Sequence, residues 1–290
     1  MTATPAARTF GAQSMTAPLR EVVVKRPGAA FGAAFDDPTN GYRRPVDLAV
    51  ARREHDAFVE LLAGLGPIVH ILEAETTSPD LVYTFDPLIV SDAGAIALRS
   101  GKHGRQGEEA VLEAWTRAHD IPTLGRIAAP GSVDGGDTFW LRSGLFCIGH
   151  SLRTNAVGAG QLASFVGGDV RIFDLPYAGG PGECLHLLSV VSPVADDLAV
   201  VFLPQLPVGL WELLGDLGIR TISVPADEYA TLACNVLAVR PGVVVMVEGN
   251  PRTERALHEA GCEVHTFAAT QIGHNGSGGP TCLTRPILRG

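Results

Sequence analysis

Hydrophobic positions along this chain come in short runs rather than in one long stripe. Runs rich in Val, Ile, Leu and aromatics recur as pairs around a turn residue, the signature of hairpins. The pairs span 88–99, turning at Asp92-Ala93-Gly94; 138–149, turning at Ser143-Gly144; 185–203, turning near Ala195-Asp196-Asp197; and 235–249, turning at Pro241-Gly242. A lone strand-like run, LREVVVKRPG, occupies 19–28, and another, TCLTRPILR, occupies 281–289. Between them the spacing predicts helices over 46–64, 106–118, 158–168, 207–217 and 252–260. In the first of these Leu48, Phe58, Leu61, Leu62 and Leu65 share a face.

Successive units begin about 50 residues apart, a repeat-architecture signal. The unpaired first and last strands then have an obvious use: paired with each other, they complete a fifth unit and close a ring. An ordinary α+β chain of hairpins and helices gives the same local pattern. No Pro/Gly/Ser linker divides the chain, so residues 19–290 read as a single domain. Residues 1–18 are small and polar without an apolar h-region, and read as a disordered tail rather than a secretion signal.

Composition narrows the function classes. The chain has 290 residues, 46% hydrophobic and 18% charged, which is globular composition. A formal net charge of −9 without a basic block argues against a nucleic-acid binder. No run of about 18 apolar residues is present, so no membrane span is expected. The five cysteines, at 147, 184, 234, 262 and 282, are widely spaced with no C-x-x-C. A disulfide scaffold or zinc ribbon is therefore not expected, and a cytoplasmic location is.

Several residues have the chemistry for a site. Cys282 follows Gly-Ser-Gly-Gly-Pro-Thr, and flexible glycines let backbone amides converge near a thiolate. It opens the last strand run. His186, in ECLHLLSV, starts an otherwise apolar strand run and is a candidate acid/base partner, although a lone His there is also an ordinary core residue. Asp134 and Asp137 flank Gly-Gly at a strand mouth, and Asp86 opens another. Carboxylates so placed suit a planar cation, because each can accept two parallel N–H bonds from a guanidinium. Arg105 and Arg153 are candidates for holding a substrate carboxylate. No histidine pair has metal-ligand spacing, so no metal is expected.

Taken in order, SPDLVYTFDPLIV (78–90), GRQGE (104–108), GSVDGGDTFWL (131–141), SLRTNAVGAGQL (151–162), ECLHLLS (183–189), CNVLAV (234–239), GNPRT (249–253) and GGPTCLTRP (278–286) resemble the dimethylarginine dimethylaminohydrolase and arginine deiminase relatives of the guanidino-group-modifying (amidinotransferase, pentein) superfamily. The resemblance covers residues 78–286 in unchanged order. It implies an α/β fold, a five-bladed αβ propeller with pseudo-five-fold symmetry and the active site on its axis. It implies Cys282 as nucleophile, His186 as acid/base and Asp134 as support for that histidine. Asp86 would bind the guanidinium, Arg153 and more loosely Arg105 the substrate carboxylate, and Asp80 the α-amino group. Asn235 lies in a shared segment without an assigned role.

The expected activity is hydrolysis of arginine or an Nω-methylated arginine to citrulline plus ammonia or methylamine, through a Cys-bound thiouronium and with no cofactor. Amidino transfer, and a non-catalytic guanidino-compound-binding role, are the alternatives. The expected partner is a small guanidino substrate. A homodimer is left open, since the periodicity shows no exposed apolar patch. Two departures bear on substrate. Phe85-Asp86 stands where the dimethylarginine hydrolases usually have Glu-Asp. The glycine-rich loop before Cys282 is longer, closer to the GGG-x-x-C style of deiminases. Phe85 would be either an apolar wall for alkyl groups or plain core.

Overall fold

A computed structural model describes residues 8–290. Among the described residues, fifteen strands form five three-stranded sheets, and each sheet repeats one plan. An antiparallel hairpin supplies the first two strands; a helix then crosses over and returns a third strand parallel to the second. The second sheet is β3 (Leu88–Ser91), β4 (Gly94–Ala97) and β5 (Thr123–Arg126). The third is β6 (Thr138–Arg142), β7 (Leu145–His150) and β8 (Asp169–Asp174). The fourth is β9 (Val191–Ala195), β10 (Leu198–Val201) and β11 (Arg220–Ser223). The fifth is β12 (Leu237–Arg240), β13 (Val243–Val247) and β14 (Glu263–Phe267).

The first sheet draws on both ends of the chain. β1 (Leu19–Val24) pairs antiparallel with β15 (Arg285–Arg289), Val22 facing Pro286, and parallel with β2 (Ile68–Ile71). The two unpaired runs thus find each other and the ring closes. The crossover helices are α1 (Leu48–Gly64), α2 (Glu108–Ala118), α3 (Ala156–Val166), α4 (Val208–Asp216) and α5 (Pro251–Glu259). α1 begins where the Asp47 side chain accepts from the Val50 N–H, and α3 where Asn155 accepts from Gly158.

Burial falls from axis to rim. Hairpin strands such as β3, β4 and β13 are buried throughout, while β8 and β11 have no buried residue. Strands covered on both faces read as continuous apolar runs, which is why the hairpins were legible. The third strands, IVHI, TLGR, DVRIFD, RTIS and EVHTF, are short and half wet, and the sequence reading passed over all five.

Two local readings need correction. His186 does not start a strand: it caps a single helical turn, Leu187–Val190, and the strand begins at Val191. Cys282 likewise precedes its strand, sitting in the turn before Arg285. The tail expectation also differs from the structure. Its residues 1–7 lie outside the described residues, but the stretch from Arg8 to Ala17 is packed. Gly11 N–H donates to Ile287 O at 2.8 Å, Ala12 N–H to Val90 O at 3.0 Å, and Thr16 Oγ1 to Asp196 at 2.8 Å. The inner strands begin at the mouth and run toward their hairpin turns. Contacts at Val90 and at the Asp196 turn therefore put this segment at the far end of the axis, where Met15 joins the core.

Candidate active site

One polar side chain from each blade lies just ahead of that blade's innermost strand: Asp86 before β3, Asp134 before β6, His186 before β9, Asn235 before β12 and Cys282 before β15. The pseudo-symmetry brings five positions about 50 residues apart in sequence to one end of the axis. Asp134 is fully buried and holds the group together. Its Oδ1 accepts from Ser100 Oγ at 2.6 Å and Gly101 N–H at 3.0 Å. Its Oδ2 lies 3.1 Å from His186 Nε2 and 3.3 Å from an Arg153 terminal nitrogen. Burial opposes its charge, but the hydrogen bond and charge of His186, with Arg105 and Arg153, win and hold the carboxyl well below its usual range.

His186 answers in kind. Burial disfavours its cation, yet Cys184, Asp86, Asp134 and Asp137 outweigh burial and raise the imidazole well above its usual value. Asp137 fixes the backbone here: its Oδ1 accepts from Leu187 N–H at 2.9 Å, while Ser151 and Thr154 hydroxyls donate to Oδ2 at 2.6 and 2.7 Å. Burial pushes the Asp137 carboxyl up to about 6. The Gly-Gly between the two aspartates has a steric reason, since a Cβ on Gly136 would sit 2.4 Å from His186 Nδ1.

Cys282 is half-buried, and its Sγ accepts from Asn235 Nδ2 at 3.2 Å. Asn235 also receives the Thr281 N–H on its Oδ1 at 3.0 Å, so one amide fixes both the turn and the sulfur. Burial pushes the thiol up to about 11; the Asp86 charge adds to this, while His186 opposes it. The glycines before Cys282 include one that packing requires: a Cβ on Gly278 would fall 2.4 Å from the Tyr83 ring. Among the hydrogen bonds of the described residues, Cys282 pairs with Asn235 and not with His186. The other ring nitrogen of His186 lies 3.9 Å from Cys184 Sγ. Cys184 is exposed; partial desolvation opposes its ionisation, but His186 and Arg153 hold its thiol below the usual range.

Asp86 accepts the Gly136 N–H at 2.8 Å and pairs with Arg105. Arg105 lies below the mouth rather than at it. It is buried, with Nε and one terminal nitrogen on Glu108 and further bonds to Asp80 O and Tyr83 O at 3.1 Å. Asp80 is buried as well, 2.5 Å from Lys102 Nζ and 3.1 Å from Tyr42 OH. Phe85 turns out to be core, 4% exposed, with the Arg285 guanidinium stacked 3.9 Å from its centroid. The sequence reading missed Lys102 and Cys184 and left Asn235 without a role. For Asn235 a signal existed, because it occupies the repeat-equivalent position.

Asp86, Asp134 and His186 each offer a ligand atom within 4.8 Å of the others. Those atoms are already committed, and two guanidiniums stand beside the carboxylates. A divalent ion would have to displace hydrogen bonds and face both arginines, so the trio is poorly suited to a metal.

Five three-stranded blades around an axis are the five-bladed αβ propeller, or pentein, fold. The comparisons agree. The arginine deiminase family model matches residues 203–289. The dimethylarginine dimethylaminohydrolase of Streptomyces coelicolor is 27% identical over 247 residues, 85% of this chain and 89% of that one. The Pseudomonas aeruginosa enzyme of the same name is 29% identical over 147 residues, 51% of this chain and 56% of its own length. Its crystal structure with citrulline superposes with a TM-score of 0.79 at 23% identity, covering 93% of this chain and all of that one. The N-terminal domain of the arginine dihydrolase ArgZ gives a TM-score of 0.81 at 18% identity, covering 93% of this chain and 98% of that one. In sequence and in fold the chain is similar to dimethylarginine dimethylaminohydrolases and arginine deiminases. No helix among the described residues is long and apolar enough to cross a membrane.

Proposed function

We propose that this protein hydrolyses a C–N bond of arginine or an Nω-methylated arginine, giving citrulline plus ammonia or methylamine, with Cys282 as nucleophile. The observation that carries the reading is the axial set itself: a half-buried thiol, an imidazole paired with Asp134, and the Asp86 carboxylate, drawn from four blades. The relatives' names and folds support the same chemistry.

The steps follow from the electrostatics. A substrate guanidinium docks on Asp86, and its positive charge beside Cys282 favours loss of the thiol proton to solvent. The thiolate adds to the guanidinium carbon. His186, already protonated, gives its proton to the departing nitrogen, which leaves as a neutral amine. The S-alkylthiouronium that remains is attacked by water, from which the now neutral His186 takes a proton. Collapse breaks the C–S bond, the hydroxyl proton passes to solvent, and citrulline and the thiolate are released. Asp134 keeps the imidazole oriented and favours its cation, and Asn235 orients the sulfur. Five unpaired thiols suit the cytoplasm as the working compartment.

The test is a ureido-group assay with mass spectrometry of products, on wild type and Cys282→Ser, using arginine, monomethylarginine, asymmetric dimethylarginine and agmatine. Citrulline from at least one amino-acid substrate is expected, falling by on the order of a thousandfold or more in Cys282→Ser. A folded wild type that is silent on all four would refute the reading. An amidino product formed only when glycine is supplied would move the enzyme to the transferases.

A further inference from the structure

No two histidines stand at ligand spacing along the sequence, but the fold brings a pair together at the rim, far from the thiol in both blade and burial. His70 lies on β2, the outer strand of the first blade, and His119 follows α2, the crossover helix of the second. Their ring centroids are 6.0 Å apart, with the planes crossed at 66°. One nitrogen of each ring is already engaged. His70 Nε2 donates to Glu21 Oε2 on β1 at 2.9 Å, and His119 Nδ1 donates to Trp115 O at 2.8 Å. A carboxylate and a carbonyl only accept, so in the neutral rings His70 Nδ1 and His119 Nε2 keep their lone pairs. Metal-binding imidazoles are fixed in this way, their second nitrogen held by a carboxylate or a backbone carbonyl. The Trp115 indole stacks on His119 at 3.8 Å and meets the His70 ring edge-on at 5.4 Å, steadying both. All three side chains line a groove of about 650 Å³ between β2 and α2. Among the described residues that lining includes Glu73 and neither lysine nor arginine.

We propose that His70 Nδ1 and His119 Nε2 together bind one divalent late first-row metal ion, of the Zn²⁺ or Ni²⁺ type, with water in its remaining positions. Imidazole nitrogens favour these ions over Mg²⁺ and Ca²⁺, which take oxygen ligands. Metal–nitrogen bonds of about 2.0–2.1 Å place each ring centroid roughly 3 Å from the ion, so two rings on one ion stand about 4.5–6 Å apart. The separation here is at the wide end of that span. His119 is exposed and His70 half-buried, so a small turn of the rings seats the ion. Glu21 and Glu73 add negative charge beside it, whereas the carboxylates at the mouth have guanidiniums for neighbours. The ion ties the outer strand of the first blade to the helix end of the second. The first blade is the one assembled from both ends of the chain, so the metal fastens the ring where it closes. This role is structural and does not depend on the hydrolase reading.

The experiment titrates Ni²⁺, Zn²⁺ and Mg²⁺ into the full chain, followed by calorimetry, tryptophan fluorescence and melting temperature. A Cys184→Ser/Cys282→Ser background removes the thiols at the mouth as competing ligands, and His70→Gln, His119→Gln, Glu21→Gln and Trp115→Phe are each made in it. One Ni²⁺ or Zn²⁺ per chain is expected to bind at submillimolar concentration, with Mg²⁺ inert. Bound Ni²⁺ should quench part of the tryptophan emission, and that part should be missing in Trp115→Phe. Each histidine variant should weaken binding at least about tenfold, and Glu21→Gln, which keeps both ligands, by about 10- to 100-fold. Metal at about a hundredfold excess over its Kd should raise the melting temperature by roughly 5 °C, and the histidine variants should lose that rise. Absence of binding up to about 1 mM, equal binding of Mg²⁺, or binding indifferent to either histidine would overturn the proposal. Glu21→Gln reads the same site should a histidine variant fold poorly, and an affinity unchanged by it would count against the assignment equally.

Discussion

The state of the resting thiol is the most exposed part of the mechanism, and it can be measured without substrate. Burial pushes Cys282 up to about 11. At pH 7.5 that leaves roughly 0.03% thiolate, against about 10% for an unperturbed cysteine near 8.5, a deficit of about 300-fold. A more basic thiolate is intrinsically more nucleophilic; a Brønsted slope of about 0.4–0.5 over roughly 2.5 units returns on the order of tenfold. The net expectation is that Cys282 reacts with iodoacetamide about 20- to 30-fold more slowly than a free thiol. Cys184 gives an internal reference, because it is exposed and its thiol lies below the usual range. Cys147 is pushed up to about 12 by burial and should stay unlabelled. Timed alkylation with peptide mass spectrometry resolves each site. Cys184 should label first, and the Cys282 rate should climb nearly tenfold per pH unit from 7.5 to 9.5 while that of Cys184 levels off. Faster labelling of Cys282 than of Cys184 at pH 7.5, or a flat pH profile for Cys282, would show a preformed thiolate and refute the reasoning.

Three further outcomes are expected. His55 is buried with neither ring nitrogen hydrogen-bonded, and burial pulls it down to about 4. The unfolded chain takes up that proton near pH 6.5, so its share of stability is intact above about 6.5 and is lost as pH falls toward 4. The loss is about 2 kcal/mol by pH 5. In urea unfolding, His55→Leu should therefore gain on wild type by about that amount between pH 7.5 and pH 5; equal pH slopes would contradict it. Gly278→Ala should lower stability by about 1–3 kcal/mol and depress kcat, because the Tyr83 ring it meets is tied through its hydroxyl to Ile272 O at 3.1 Å. Gly160→Ala, in open space on α3, should leave both the melting temperature and kcat intact or improved.

What could be read in the sequence follows how completely each segment is buried. The hairpin strands are covered on both faces, so they must be apolar throughout, and the pairing of their runs exposed the period of about 50 residues. Two lone end strands at that period required each other, and they do pair. Cys282, His186, Asp134 and Asp86 could be singled out in the sequence because ordered motifs carry them. Their likeness of position, each at the mouth of an innermost strand, became visible only once the blades were assembled.

The tertiary structure decided what depends on neighbours distant in sequence. The outer strands are half wet and weakly patterned, and only the parallel edge of a finished hairpin makes them strands. Arg105 looked like a free cation in GRQGE, but Asp86, Glu108 and two carbonyls enclose it. Phe85 could be read as a substrate wall or as core, and Arg285, 200 residues away, stacks on it within the core. Residues 8–17 carry no apolar pattern because backbone hydrogen bonds and single contacts hold them, not a buried face. Local burial leaves a periodic mark on a sequence. A charge partner drawn from another blade leaves none, and such partners decide the ionisation of Asp134 and His186, while burial decides that of Cys282 and Asp137.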